Sequence, residues 1–599
     1  MSSAGVRLLP FNKYSSPGIS LSKQVVFQSP LPRLQKYNLC IRIMVLEIIK
    51  LFVWTVWTTK SILLISVSAG IGNLSLSYDG DVMPDALLSI YDEFKSIDQN
   101  EDIQWLIVSS PTFGAIIGAM FATWSSDMWG RRTSILIADI LSVFASLVTA
   151  SSINFRMLIF GRFVFGTAVG ILSMTVPLYI SEFSPPQIRG ILIGLNSILG
   201  GLGRCFSSFF IKVFGTWRWT VELAIIFPLL QFFMMWQLPD TPPWLLRQGM
   251  AKERKKTLKI VREALKYIYP PDQRKEVLEI MVNSIQESPT GGNVNDSFFL
   301  KLRRVWGNRR VWRNFLAGIF VQVASQAVGL DSVVKFSPHI LQYGGYEADS
   351  VPAALSKIIT TVGVLASVLC LILVETVGRK KLVVYSLKSL SAIFLALSSG
   401  YYVLEKNGPH IVTTEFSPVF SANNTCWALD CADCLHSTCG FCTVTGRAEL
   451  GGACLKQEDG SAICRASNGQ WFDLGCPNKH GHLLILFLDG LIFMYALGLG
   501  TVPSTITSEI LPSGFRGFGG GVATVTMWIS NLFFSTIFSS LQESLDPWEV
   551  FFIHGIITAL ILFPIIKLVP TTHGQTVESM ENPCQESELL GSTSQSPRP

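Results

Sequence analysis

Two ten-residue stretches, SEFSPPQIRG at residues 181–190 and SEILPSGFRG at residues 508–517, decide the fold of this chain. They share the pattern Ser-Glu-x-x-Pro-x-x-x-Arg-Gly, with an offset of 508 − 181 = 327 in the numbering. A second pair, DMWGRR at 127–132 and ETVGRK at 375–380, has an offset of 375 − 127 = 248. The first offset exceeds the second by nearly the number of residues in the polar, cysteine-rich segment 405–481. The second half of the chain therefore repeats the first and contains one inserted domain.

The composition indicates a membrane protein, because apolar types make up 49% of the 599 residues and charged types only 15%. Runs of about 20 apolar residues, the length that spans a bilayer, occur six times on each side of the polar stretch 239–312. The pattern predicts an all-α membrane fold of 12 helices in two six-helix repeats, as in major facilitator transporters. The candidate spans are 61–80, 103–124, 133–152, 156–178, 190–213, 218–238, 314–340, 353–375, 382–404, 482–505, 519–541 and 549–569.

The distribution of Lys and Arg predicts the topology. The stretch 239–312 is rich in both residue types, which places it in the cytoplasm, and an even number of helices then puts both termini there too. The predicted parts are an interfacial segment 1–58, a six-helix half 59–238, the cytoplasmic loop 239–312, three helices in 313–404, the extracellular insert 405–481, three helices in 482–569 and a disordered tail 570–599. The net charge of +5 is small, and the basic residues form no exposed stripe with aromatics, so we expect no nucleic-acid partner.

The repeated motifs predict a gate at the cytoplasmic ends of the helices. In each half an acid and an arginine flank a glycine turn, and a glutamate and a second arginine lie at the next turn on that side. Such groups can form charge-assisted links that close this end when the protein faces outward. The alternative is that the arginines only set orientation, although the paired acids at fixed spacing favour a gate. The gate residues are Asp127, Arg131, Glu182, Arg189, Glu375, Arg379, Glu509 and Arg516.

Several stretches closely resemble the sugar-porter family, and within it the plant-type proton-coupled inositol transporters. They include GRFVFGTAVG at 161–170, GTWRW at 215–219 and GTVPSTITSEILPSGFRG at 500–517, and the resemblance runs from about residue 62 to 572. It implies uptake of myo-inositol or a related polyol with a proton across the plasma membrane. The proton is the coupling ion, and neither a further cofactor nor a metal is expected. We also expect a monomer in the lipid bilayer and no enzyme activity, since no Ser-His-Asp pattern is placed for hydrolysis.

The resemblance implies that Asp79 and Arg162 couple the proton, because they stand at the family's acidic position in the first helix and its fourth-helix partner. Burial disfavours a charged carboxylate and a nearby guanidinium favours it, so changing hydration can switch Asp79 between a paired anion and a neutral acid. The alternative is a static buried salt bridge that fixes helix packing.

The substrate pocket departs from the family pattern. Of the family's polar and aromatic positions, Gln326, Asn531 and Trp528 are kept, whereas a glutamine is replaced by Arg204, another by Ser325, an asparagine by Asp331 and a tryptophan by Ser504. Losing neutral ligands should weaken hydrogen bonding and stacking with a polyol. Two pairings remain open for Asp331: with Arg204 across the pocket, or with Lys335 one helical turn away.

The insert contains eight of the 12 cysteines, which predicts disulfides in an oxidising compartment. The tandem C-x-x-C pairs also fit zinc, but the predicted extracellular position favours four disulfides with 105 possible connectivities. The spacing resembles the plexin-semaphorin-integrin type insert of the inositol transporters, and Asn423, just before the first of its cysteines, lies in a glycosylation sequon. The cysteines are Cys426, Cys431, Cys434, Cys439, Cys442, Cys454, Cys464 and Cys476.

Two other functions are compatible with the altered pocket. One is a transport-deficient sensor or interaction protein that uses the insert to bind a partner, although an intact Asp79 and Arg162 argue against it. The other is a transporter of an anionic polyol or another sugar, since Arg204 and Lys335 could attract a negative charge.

Overall fold

The computed structural model describes most of the predicted membrane part of the chain. The described residues are 60–94, 101–185, 188–214, 216–249, 253–269, 271–287, 298–346, 352–406, 408–411, 426, 428, 430–437, 439–444, 452–466, 469–478, 481–511 and 515–570. They belong to one unit, Thr59–Pro599, whereas Met1–Thr58 is a separate unit outside the described part. The predicted sequon at Asn423 and the tail after Pro570 also lie outside the described residues.

Among the described residues, seven helices form the N-terminal half, and they follow the six predicted apolar runs. The predicted span 218–238 is present, but it consists of two helices with a break at Ala224 and Ile225. The first helix continues past its predicted end at 80 as far as Glu93. The helices are α1 (Lys60–Glu93), α2 (Glu101–Met128), α3 (Arg131–Ala150), α4 (Phe155–Phe183), α5 (Arg189–Phe214), α6 (Trp217–Leu223) and α7 (Ile226–Trp236).

Four short helices occupy the described part of the predicted polar loop between the halves. Their exposed faces carry the basic residues that identified the loop, and their apolar faces pack against the N-terminal half through residues such as Leu246, Val261 and Leu265. The helices are α8 (Pro242–Gly249), α9 (Arg254–Ala264), α10 (Arg274–Glu287) and α11 (Phe298–Gly307).

The C-terminal half repeats the pattern but contains two broken helices. The predicted span 314–340 is interrupted at Gly329, which has a positive φ of 71°, and again at Phe336. The predicted span 482–505 is interrupted between Leu497 and Val502. Apolar runs do not reveal such breaks. The helices are α12 (Arg309–Ala327), α13 (Leu330–Lys335), α14 (Ser337–Tyr343), α15 (Pro352–Thr376), α16 (Arg379–Lys406), then, after the insert, α19 (Gly481–Leu497), α20 (Val502–Ile510), α21 (Arg516–Ser544) and α22 (Pro547–Leu568).

The length and hydropathy of these helices fit a membrane. Within the described residues, 11 helical segments are long and apolar enough to cross a bilayer. A twelfth apolar helix, α15, has a shorter apolar section at Thr361–Thr376. Each half has its own buried core, and the halves meet mainly where α21 packs on α2 and α15 packs on α5. The twelve-helix, two-repeat prediction is confirmed.

The insert is a small disulfide-linked domain. Its described strands, β1 (Cys439–Val444), β2 (Ala453–Lys456) and β3 (Gly469–Phe472), form an antiparallel sheet of order β2-β1-β3, flanked by α17 (Cys431–His436) and α18 (Gln457–Ala466). All eight predicted cysteines are paired, which removes the thiolates that zinc would need. The disulfides are Cys426–Cys439, Cys431–Cys476, Cys434–Cys454 and Cys442–Cys464.

The insert packs closely against the end of α14. A Cβ atom built on Gly345 would lie 2.2 Å from the carbonyl oxygen of Cys476, and one built on Gly475 would lie 2.3 Å from that of Tyr343. Only glycine allows backbones to approach this closely. The insert is therefore held against the helix that follows the second break, at Phe336. We call this side of the bundle the insert end, and the opposite side, with the four short helices and the repeated motifs, the basic end.

Near the insert end, the GTWRW stretch connects α6 with α1. Trp217 donates from Nε1 to a carboxylate oxygen of Glu93 at 3.0 Å, and Arg218 pairs with the other oxygen. Arg218 also donates to the carbonyl oxygens of Ala150 and Ser152 at the end of α3. The hydrogen bond from Arg218, together with that from Trp217 and the arginine charge, lowers the pKa of Glu93 below its usual 4.5.

We predict that Glu93→Gln lowers the thermal midpoint equally at pH 5.5 and pH 7.5. Because the folded pKa is lowered, the contribution of the ionised group is complete above about 4.5 and is lost as pH falls through the folded value. The pair is partly exposed, so the shift should be small, on the order of 1 °C. Thermal unfolding of purified protein from pH 3.5 to 7.5 measures it. A difference between variant and native protein that grows as the pH falls would contradict this assignment.

Candidate functional site

Each repeated motif forms a tight turn at the basic end. Gly130, between α2 and α3, has φ 98°, and Gly378, between α15 and α16, has φ 91°. A positive φ strains other residues, which explains the glycine in both motifs. At Gly130 a side chain would also collide with Asp240, whose Oδ2 lies 2.5 Å from the position of a Cβ. The Oδ1 of Asp240 accepts the backbone N–H of Arg132 at the start of α3.

In each half, one buried arginine binds the acids of both motifs. Arg131 lies 3.1 Å from Glu182 and 3.5 Å from Asp127. Arg379 repeats this arrangement, 3.1 Å from Glu509 and 3.0 Å from Glu375. The side chains of Arg131 and Arg379 are only 1% and 4% exposed. A buried charge is tolerated when it is paired in this way, so each arginine holds two turns of its own half together.

The first acid of each glycine turn also reaches across to the other half. The Oδ1 of Asp127 lies 2.4 Å from a Cβ position on Gly517, directly after Arg516 in the C-terminal half. The Oε1 of Glu375 lies 2.6 Å from a Cβ position on Gly190, directly after Arg189 in the N-terminal half. The two halves therefore touch at the basic end through two equivalent contacts. In each contact, a carboxylate of one half packs against a glycine of the other half.

Glu182, Glu509 and Arg189 have described contacts within their own half. The two glutamates pair within their own half, with Arg131 and Arg379, and Arg189 donates to the carbonyl oxygen of Ser184 at 3.3 Å. The acids that approach the opposite half are Asp127 and Glu375. The gating role of all eight residues stays a prediction.

The polar loop adds groups that the motif analysis missed. Lys301 of α11 binds Asp127 at 3.2 Å, and the Thr241 hydroxyl donates to Glu182. Burial raises the pKa of Asp240. Burial also lowers the pKa of Arg247 to about 10, against an opposing effect of the Glu182 charge, so Arg247 remains a cation at neutral pH. The composition of the loop shows that it is basic, but it does not show which side chains reach the motifs.

Asp79 and Arg162 form a buried ion pair between α1 and α4, as expected from their positions. The Arg162 guanidinium donates to Oδ2 of Asp79, and the side chains are 6% exposed for the arginine and 3% for the aspartate. The guanidinium also lies 5.8 Å from the centre of the Phe165 ring, and its Nε has no hydrogen-bond partner among the described residues. Arg162 is therefore fully compensated only while Asp79 is ionised.

Four predicted pocket residues form one polar chain around the break between α12 and α13. The Asn531 amide donates to Gln326 Oε1 at 2.8 Å and to Asp331 Oδ2 at 3.0 Å. The Gln326 amide donates to the Ser325 hydroxyl at 3.2 Å, and that hydroxyl donates to the Gln322 carbonyl oxygen. Asp331 is exposed, and Gln326 and Asn531 are half-buried. These groups offer donors and acceptors to a polar ligand.

The other predicted pocket residues have different contacts. Trp528 of α21 donates to the Ser173 hydroxyl of α4 at 3.0 Å and so bridges the halves. Ser504 donates to the Thr501 carbonyl oxygen in its own helix. Tyr495, which the sequence analysis missed, donates to the Ser325 carbonyl oxygen, and its hydroxyl lies within the electrostatic influence of both Asp331 and Arg204.

A described hydrogen bond to Asp331 comes from Asn531, and the pairing of Asp331 with Arg204 or with Lys335 stays a prediction. The side chain of Lys335 lies outside the described part. The charges of Arg204 and Asp331 both reach Tyr495, so their compensation across the pocket stays a prediction.

We predict that Arg204→Gln and Asp331→Asn each reduce surface expression and that the double variant recovers it, because removing one charge leaves the other uncompensated. Surface biotinylation of the four proteins measures the coupling. Additive losses in the double variant would contradict it. Asn531→Ala is the control: it removes the described partner of Asp331 without changing any charge.

The cross-half contact can be tested by a disulfide. The Asp127 Cγ, which a cysteine Sγ would replace, lies 3.2 Å from a Cβ position on Gly517, so the two Cβ atoms can meet the spacing of a disulfide. We predict that Asp127→Cys with Gly517→Cys cross-links under mild oxidation and that the link blocks transport until it is reduced. Asp127→Cys with Gly520→Cys is the matched control, since a Cβ on Gly520 meets nothing within 4 Å. Equal cross-linking in both pairs would refute the contact.

Comparison with known proteins agrees with this architecture. The family model "Sugar (and other) transporter" matches residues 65–429 and 459–583, and the gap falls inside the insert. Inositol transporter 4 of Arabidopsis thaliana is 38% identical over 546 residues, which are 88% of this chain and 92% of that protein. The proton myo-inositol cotransporter of Homo sapiens is 28% identical over 547 residues, which are 88% and 82% of the two chains.

A solved structure shows the same fold. The proton:xylose symporter XylE, bound to 6-bromo-6-deoxy-D-glucose, superposes with a TM-score of 0.65 at 20% identity, over 87% of this chain and 99% of that one. XylE belongs to the major facilitator superfamily. On the family match, the identity to the inositol transporters and this fold, the chain belongs to the sugar transporter family.

Proposed function

We propose that this protein takes up myo-inositol or a related polyol together with a proton, by alternating access across the plasma membrane. The observation that carries the proposal is the buried Asp79–Arg162 pair in a chain similar to the human proton myo-inositol cotransporter. An ion pair inside the membrane is costly to maintain without a function. The identity to inositol transporters over most of the chain supports the cargo.

The Lys/Arg excess of the basic end supports a cytoplasmic position for it, with the insert and its disulfides outside. In that orientation the cytoplasmic end is closed, because Asp127 and Glu375 lie against Gly517 and Gly190. The pocket residue Asp331 is exposed on the other side of this closure. The arrangement then corresponds to an outward-facing state, ready to receive substrate and proton from outside.

Protonation of Asp79 supplies the switch. A neutral Asp79 no longer compensates the charge of Arg162. The Arg162 guanidinium lies near the Phe165 ring, and its own Nε has no hydrogen-bond partner among the described residues. The arginine must then find another partner or water, which favours a rearrangement of α1 against α4. Polyol binding to Gln326 and Asn531 would occur at the same time on the C-terminal half, so the two events can drive one rocking movement of the halves.

The altered positions define how the site would hold a polyol. Asp331 and the amides of Asn531 and Gln326 can accept from and donate to vicinal hydroxyls, as neutral polyol sites require. Ser325 is shorter than the glutamine that stands there in the family, and Ser504 offers no aromatic face. These losses reduce contact with the cargo, so we expect weaker binding than a site with the full set of ligands would give.

The test is labelled myo-inositol uptake and inward current in oocytes at external pH 5.5 and 7.5. We expect an acid-stimulated, inositol-dependent current in the native protein. Asp79→Asn should abolish it at both pH values, because the variant can neither be charged nor release a proton. Surface labelling of both proteins provides the control. No uptake by native protein that reaches the surface would overturn the proposal, and competition by inositol phosphates would then test an anionic cargo.

A further inference from the structure

A row of buried polar residues runs along α3, on the face that packs against α4. Ser134, Asp139, Ser142, Ser146 and Thr149 are each no more than 2% exposed. From Asp139 to Thr149 the spacing of three or four residues places these residues on one side of the helix, and Ser134 lies five residues before Asp139. Residues of this kind are expensive inside a membrane protein, and none of them belongs to the repeated motifs or the pocket.

Asp139 stands out in this row, because both of its carboxylate oxygens are buried and have no hydrogen-bond partner among the described residues. The Ser146 hydroxyl is buried and unpartnered in the same sense. An ionised carboxylate in such surroundings would lose its solvation with nothing to replace it, so the neutral acid is the stable form.

Within the described part of the chain, no hydrogen bond reaches the Asp139 carboxyl. The helices packed against α3 are α2, α4, α6 and α7. The described ionisable side chains of these helices are Asp127, Arg156, Arg162, Tyr179, Glu182, Arg218 and Glu222, and those of α3 itself are Arg131 and Arg132.

At one end, the row packs against α4 beside the residue that precedes Arg162. Thr149 packs directly on Gly161, the residue before Arg162, since a Cβ on Gly161 would lie 2.5 Å from Thr149 Oγ1. From Thr149, the row continues for ten residues, or about 15 Å, to Asp139. At the other end, the Ser134 hydroxyl donates to the Gly130 carbonyl oxygen at 3.0 Å, in the turn at the basic end.

We propose that Asp139 is a second proton-binding group, held as a neutral carboxylic acid, and that the hydroxyls of Ser142, Ser146 and Thr149 connect it to the Asp79–Arg162 pair. This inference rests on the proposed proton coupling. When Asp79 gives up its proton, its O–H bond breaks and its carboxylate pairs again with Arg162. Asp139 passes its own proton toward the basic end and receives the one that arrives, so it ends neutral. Asp139, Ser142, Ser146 and Thr149 are three or four residues apart, about 5 to 6 Å between Cβ atoms, so bridging water completes each step.

Asp139→Asn tests the relay, because asparagine matches aspartic acid in shape but carries no transferable proton. In proteoliposomes we expect native counterflow exchange of labelled myo-inositol and loss of pH-driven accumulation, to an inside-to-outside ratio of about one, as for an uncoupled carrier of a neutral solute. Asp489→Asn, in α19 of the other half, is the matched control and should accumulate like the native protein. Unchanged accumulation in Asp139→Asn, or equal loss of exchange and accumulation, would overturn the proposal.

A second measurement does not depend on the cargo. Infrared spectra at pH 7 should show a protonated-carboxyl band in the native protein that is missing in Asp139→Asn, and a band unaffected by the substitution would overturn the assignment. If native protein neither exchanges nor accumulates myo-inositol, the proposed function has failed and the infrared result alone decides on Asp139.

A second set of variants applies if Asp139→Asn does not fold. The double variant Ser142→Ala with Ser146→Ala should then reduce accumulation but not exchange. Ser398→Ala, a buried hydroxyl in α16, is its control, and equal behaviour of the two would overturn the relay.

Discussion

The contact between the two halves at the basic end depends on two buried guanidinium groups, one in each half. Arg131 and Arg379 each bind two carboxylates from different turns, so removing either arginine would leave uncompensated acids in a site with little access to water. The same arginines hold Asp127 and Glu375 above the glycines of the opposite half. One charge in each half therefore fixes both the internal arrangement of its turns and its contact with the other half.

The pocket depends on a different constraint, the interruption of helices. The breaks between Ala327 and Leu330 and between Leu497 and Val502 bring Ser325, Gln326 and Tyr495 to places where the helical hydrogen-bond ladder ends. Unwound segments of this kind are common at the substrate sites of transporters with internal repeats. The two halves thus divide the work: the N-terminal half carries the ion pair of Asp79, and the C-terminal half carries most of the polar chain.

The large features could be predicted because repeats and apolar runs are local signals. The two motifs, the twelve apolar helices and the position of the insert could all be read from spacing. Helix breaks could not, since periodicity does not show that Gly329 adopts a positive φ. The cysteine pairs and the contact of Lys301 with Asp127 depend on tertiary structure. Asp139 was visible as an acid within the predicted span 133–152, but its lack of a described partner appears only when the neighbouring helices are in place.

The contact between the insert and α14 sets an order on how the protein assembles. Gly345 and Gly475 lie on opposite sides of α15, α16 and most of the insert in the sequence, yet their surroundings pack against each other. The Cys431–Cys476 disulfide fixes the segment that makes this contact. The end of α14 can therefore make this contact only after α15, α16 and the whole insert have been synthesised and the cysteines of the insert have been oxidised. The contact between the insert and α14 is in this way tied to the oxidation of the insert's cysteines.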